Sequence, residues 1–68
     1  MRDVEELSRK VIYYRAMNKI SAEDLAAKLE ISYGTLLKII RKQNVKETTR
    51  IYVWEKLEII EKLEKEGE

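Results

Sequence analysis

Cysteine, histidine and proline are absent from this 68-residue chain, and glycine occurs only twice. Without cysteine, no disulfide or thiolate-rich metal site can reinforce the fold. Without histidine or cysteine, the commonest general base and the best nucleophile are both missing. The remaining carboxylates fall at solvated helix positions with Lys or Arg nearby, so the chain reads as a non-enzyme with no catalytic residues. Two isolated glycines cannot form a loop that cradles phosphate, and no carboxylate spacing marks a metal loop, so no cofactor, metal or small-molecule ligand is expected. The longest apolar runs, 11–14 and 51–54, are four residues each, against the ~20 needed to span a bilayer. The charged N-terminus has no apolar core of signal-peptide length. The expectation is a cytoplasmic protein with no membrane partner.

What the chain does hold is charge: 40% of its residues are Asp, Glu, Lys or Arg, with a net of only +1. The length predicts one domain over 1–68. A domain this small buries only about 60% of the surface its unfolded chain exposes, which leaves dimerisation as the ordinary means of further support. The charge is unevenly placed. Residues 31–50 carry Lys38, Arg41, Lys42, Lys46 and Arg50 against Glu47 alone, a local +4, whereas residues 51–68 carry a local −3. A basic middle with an acidic tail fits one face that meets phosphate and another that stays solvated.

Periodicity predicts an all-α fold. The first helix should run over about 3–18, with Asp3 as its N-cap and Glu5 and Glu6 in the first turn, where the helix dipole favours anions. Val4, Leu7, Val11, Tyr14 and Met17 or Ala16 make its apolar face. Ser21 caps a second helix, with Asp24 three residues on in a variant of the capping box. Ser32 caps a third. Gly34 follows in the first turn, where glycine costs about 1 kcal/mol relative to alanine. Either it allows close backbone approach to a ligand or it is a tolerated weak position. A polar loop over 42–46 leads to the last segment. There TTRIYVW, residues 48–54, is strand-like in isolation, but one long helix over about 47–66 places Trp54, Leu57 and Ile60 on a single face, with Val53 and Leu63 beside it. No proline interrupts it, and a lone strand would lack a partner.

The richest stretch is SAEDLAAKLEISYGTLLKIIR, residues 21–41. It reads as two short helices joined by a three-residue turn, the spacing of a helix-turn-helix. Ala26 falls where the helices cross most closely. Leu25, Leu29, Ile31, Leu36 and Ile39 face inward, which leaves Tyr33, Gly34, Leu37, Lys38 and Arg41 outward. A face mixing basic, aromatic and aliphatic groups can contact phosphates, base edges and thymine methyls.

This stretch resembles the DNA-binding core of the Cro/cI-type repressors, the Xre family. Upstream, YYRAMNKIS is similar to the end of that family's first helix, and downstream NVKETTRIYVWEKL is similar to the closing helix of small phage-type or mobile-element members. The resemblance spans roughly residues 7–60. It implies a compact four- to five-helix, lambda-repressor-like domain, encoded by a bacterium, archaeon or phage, that represses transcription as a nucleoid-associated homodimer on a palindromic operator in double-stranded DNA. Carried over, base reading falls to Ser32, Tyr33, Gly34, Leu37 and Lys38, with Arg41 beside them. Phosphate contacts fall to Ser21, Ala22, Lys42, Asn44 and Lys46, with Arg50 as an addition. The dimer element is the last helix, through some of Ile51, Tyr52, Trp54, Ile59 and Leu63, although Trp54 also reads as core.

Three positions depart from the family. Ala22 stands where Gln is common, which removes a side-chain contact to DNA. Glu30 stands where a turn glycine is common, and a left-handed conformation costs a non-glycine residue roughly 1–2 kcal/mol. Ile40 stands where an acidic residue often pairs with the arginine matching Arg15, so Arg15 is expected to turn to another carboxylate or to phosphate. Two other functions remain open: an excisionase-like winged-helix accessory factor, suggested by TTRIYVW, and a protein-interaction module such as an antitoxin or anti-repressor, suggested by the near-neutral charge and by Leu37 and Ile40.

Overall fold

The computed structural model describes residues 3–67. They form four helices, α1 (Val4–Asn18), α2 (Ala22–Leu29), α3 (Tyr33–Ile40) and α4 (Glu47–Glu66), with no strand among the described residues. The fold is all-α, and residues 48–54 lie inside α4 rather than in a wing. Their β-branched side chains favour a strand locally, but Val53, Leu57 and Ile60 at four- and three-residue spacings line one helical face that buries against the rest of the chain. Packing outweighs propensity there.

The first three helices begin alike. Asp3 accepts from the Glu6 amide at 2.8 Å, Ser21 from Asp24 at 3.0 Å and Ser32 from Thr35 at 3.1 Å, each satisfying one of the orphan donors of a first turn. α4 differs: Lys46 starts it without a side-chain cap. The same three helices also end alike. Lys19, Glu30 and Lys42 adopt left-handed backbone, with φ of 52°, 60° and 61°. Around each, paired amide-to-carbonyl bonds return the chain: Lys19 to Ala16 and Ile20 to Arg15, Glu30 to Ala27 and Ile31 to Ala26, Lys42 to Ile39 and Gln43 to Lys38. These are Schellman turns without their usual glycine. The strain expected at Glu30 is present, and two lysines share it.

One core fills the centre. Leu7, Val11 and Tyr14 of α1, Leu25, Ala26 and Leu29 of α2, Leu36 and Ile39 of α3, and Val53, Leu57 and Ile60 of α4 are its buried members. α3 packs on α1 and α2, and α4 packs on the same pair. Two expectations at helix ends are corrected. Met17 is 64% exposed, and Ala16 is exposed; the turn at Lys19 swings Ile20 back onto the core in their place. Leu63 is 62% exposed, because the next residue, Glu64, takes the inward side of that turn. Trp54 flanks the buried row of α4 half-buried, with the Lys10 ammonium 4.8 Å from its ring centre.

Polar contacts tie the helices at their edges. The buried Ser8 hydroxyl donates to the Ile40 carbonyl at 3.0 Å, which joins α1 to the end of α3. Tyr14 Oη donates to Glu64 at 2.8 Å and Lys28 Nζ donates to the same carboxylate at 2.7 Å. The Lys28 bond, then the Tyr14 bond, hold the Glu64 carboxyl below its ordinary pKa. Lys28 is raised by Glu64 in return, and Tyr14 is raised by burial and by its bond to Glu64. Lys10 reaches Glu61 at 3.0 Å, and Lys56 reaches Glu30 at 3.1 Å. Among the described residues no helix is long and apolar enough to cross a membrane.

Candidate nucleic-acid interface

α2 and α3 are joined by residues 30–32, the three-residue turn expected of a helix-turn-helix. Leu36 and Ile39 are fully buried, so the opposite side of α3 is fixed in its outward direction. At 100° per residue, Gly34, Leu37, Lys38 and Arg41 form that outward row, and Tyr33 flanks it. Tyr33 is 47% exposed, Leu37 is half-buried, and the other three are exposed. The inward and outward sets of α3 therefore fall as the sequence pattern predicts.

Ser32 is the exception among the proposed base readers. Its hydroxyl accepts from the Thr35 amide and donates to Thr35 Oγ1 at 2.8 Å, so it is occupied in starting α3. Ser21 is similarly occupied at the start of α2. Ala22 is half-buried against the core.

The loop after α3 brings further groups alongside. Lys38, Asn44 and Lys46 line one cleft with Thr35, Val45 and Thr49. Thr35 and Thr49 were not singled out from the sequence. Their only signal is position, Thr35 three residues before Lys38 on α3 and Thr49 in the first turn of α4. That first turn has no side-chain cap, and its free amides add partial positive charge beside Lys46. Arg50 plays another part. It is half-buried, its Nη1 donates to the Val45 carbonyl, and its Nε is enclosed without a partner. The guanidinium ties the first turn of α4 to the loop before it. Arg15 makes no ion pair with a carboxylate: it is exposed, and its Nε donates to the Ile20 carbonyl at 3.2 Å.

Ion pairing separates the cations into two groups. Arg9, Lys10, Lys28 and Lys56 pair with Glu5, Glu61, Glu64 and Glu30. Among the described residues Arg15, Lys19, Lys38, Arg41, Lys42, Lys46, Arg50, Lys62 and Lys65 make no ion pair, and of these Lys38, Arg41, Lys42 and Lys46 fall together on α3 and the loop after it. Glu61 and Glu64 of α4 are turned to α1 and α2, and four cations without an ion pair stand on α3 and the loop that follows it.

On α4, Ile51, Tyr52, Ile59 and Leu63 are all more than 40% exposed on the side away from the core. Trp54 lies apart from them, packed toward α1. Among the described residues no group of three His, Cys, Asp or Glu side chains could hold a metal ion. No family model, curated protein or solved structure matches this chain.

Proposed function

We propose that this chain is a sequence-specific DNA-binding regulator of the Cro/cI type, a binding protein rather than a catalyst. It acts as a homodimer and lays α3 in the major groove of an operator. The observation that carries this reading is the set of unpaired cations. Among the described residues Lys38, Arg41, Lys42 and Lys46 make no ion pair, and they gather on α3 and its following loop. Phosphate is the partner such a strip attracts.

Within the strip, Lys38 and Arg41 have the donors to read guanine, and Leu37 offers an apolar contact to a thymine methyl. Lys42, Asn44 and Lys46 serve the backbone, with Thr35 and Thr49 beside them. One such helix discriminates weakly, since each good base contact contributes about 1–3 kcal/mol. Two-fold pairing through Ile51, Tyr52, Ile59 and Leu63 doubles the reading surface and suits a palindromic site. The helical course of residues 48–54 removes the basis for a winged-helix accessory factor.

Selection from random duplex pools, followed by affinity measured across salt, tests the reading. Lys42 and Lys46 give two phosphate-neutralising cations per protomer and four in a dimer, so log K should fall against log salt with a slope of roughly −3.6, about 0.9 per phosphate neutralised. The K38A/R41A double variant should lose the selected motif. A protein-interaction module would keep its activity in that variant, and the wild type would show neither a motif nor a salt slope.

A further inference from the structure

Gly34 occupies the centre of the outward row of α3, almost diametrically opposite Leu36 and Ile39. Nothing inside the fold requires glycine there. Its φ is not positive, and a Cβ built on it meets no atom within 4 Å. The first turn is already capped by Ser32. Glycine is one of the two poorest residues for a helix, and α3 has only eight residues over which to absorb it. The fold alone would favour alanine. What the missing side chain serves therefore lies outside the fold, on the solvent side of α3.

We infer that Gly34 is the point of closest approach between α3 and bound DNA. The inference rests on the DNA-binding reading above and adds to it a steric determinant of specificity. The bare backbone between Tyr33 and Leu37 lets the first turn of α3 sit against the base edges. The same depth brings the long side chains of Lys38 and Arg41 within bonding range. A methyl group at residue 34 would hold the helix off by about the length of one carbon–carbon bond, ~1.5 Å. That stretches a base contact of about 2.9 Å well past the 3.2 Å at which such bonds fade. Phosphate contacts from flexible lysines tolerate the shift; base contacts do not.

The test compares wild type, Gly34→Ala and Gly34→Leu for melting temperature and for affinity toward the selected duplex and a scrambled one, by fluorescence anisotropy. Gly34→Ala is expected to melt roughly 4 °C or more above wild type. It should bind the selected duplex at least tenfold more weakly while its affinity for the scrambled duplex stays within twofold, and Gly34→Leu should lose at least as much. The inference is overturned if Gly34→Ala binds the selected duplex within twofold of wild type, or if it melts below wild type. A wild type that selects no duplex overturns it together with the DNA-binding reading. If K38A/R41A loses the selected site and Gly34→Ala keeps it, the reading stands and only the role of Gly34 falls.

Discussion

Replacing Ser8 with alanine tests how firmly α3 is seated. Ser8 is fully buried on α1, and its hydroxyl donates to the carbonyl of Ile40, the last residue of α3. That carbonyl belongs to the final turn, where no succeeding helical amide serves it. Deleting the hydroxyl leaves a part-buried acceptor without its donor, which costs about 1–3 kcal/mol. Alanine returns up to about 0.5 kcal/mol through its better helix propensity. The net expectation is a loss of about 0.5–2.5 kcal/mol. In a domain of this size each kcal/mol moves the melting temperature by roughly 4–8 °C. Thermal denaturation followed by circular dichroism at 222 nm reads it directly. A Ser8→Ala protein that melts at or above wild type would refute the argument, because it would mean that water serves Ile40 as well as Ser8 does. The same variant should weaken binding to a selected duplex more than to a scrambled one, since α3 would then be set less firmly for its contacts.

The remaining predictions concern the turns and the α1–α2–α4 node. Lys19→Gly should relieve about 1–2 kcal/mol of left-handed strain and give back about 0.5–1 through the freer unfolded chain, so its melting temperature should rise. Glu30→Gly should gain less, because it also loses the exposed pair with Lys56, worth about 0.2–1 kcal/mol; a larger rise for Glu30→Gly than for Lys19→Gly would count against the ledger. Glu64 has its pKa lowered in the fold, so its contribution is present above its unfolded value and fades as pH falls through the folded one. The difference in melting temperature between wild type and Glu64→Gln should accordingly shrink between neutral pH and about pH 3, and a difference that grows on acidification would reverse the assignment. Lys28 and Tyr14 are both raised, so what they add holds below their unfolded values and disappears only on strong alkalinisation.

Much of the helix grammar was legible because it is local. Asp3, Ser21 and Ser32 begin helices through bonds that reach three residues along the chain, and a sequence shows that distance plainly. The inward set of α2 and α3 was legible because 3.6-residue periodicity is rigid over eight residues. Helix ends were harder. Periodicity continues through Met17 and Leu63, but burial depends on whether another helix extends far enough to cover them. The left-handed turns at Lys19 and Lys42 left no signal, since lysine is not a turn residue. Ser8 and Arg50 were illegible as structural groups, because their partners, Ile40 and Val45, are identified only once the loop and helices are placed. The candidate site divides the same way. The outward row of α3 follows from period alone, whereas the cleft that joins Thr35 and Thr49 to Lys38 and Lys46 exists only in three dimensions.

The node at Glu64 bears on the order in which the fold can close. Tyr14 and Glu64 are 50 residues apart in sequence, Lys10 and Glu61 are 51 apart, and Lys28 and Glu64 are 36 apart. Each of these contacts therefore closes a loop that takes in most of the chain. The helix-turn-helix can assemble early from near neighbours, but its covering layer depends on loops that span most of the chain, and such distant closures set the pace of folding. Until those loops close, Lys10 and Lys28 lack the carboxylates that pair with them in the fold.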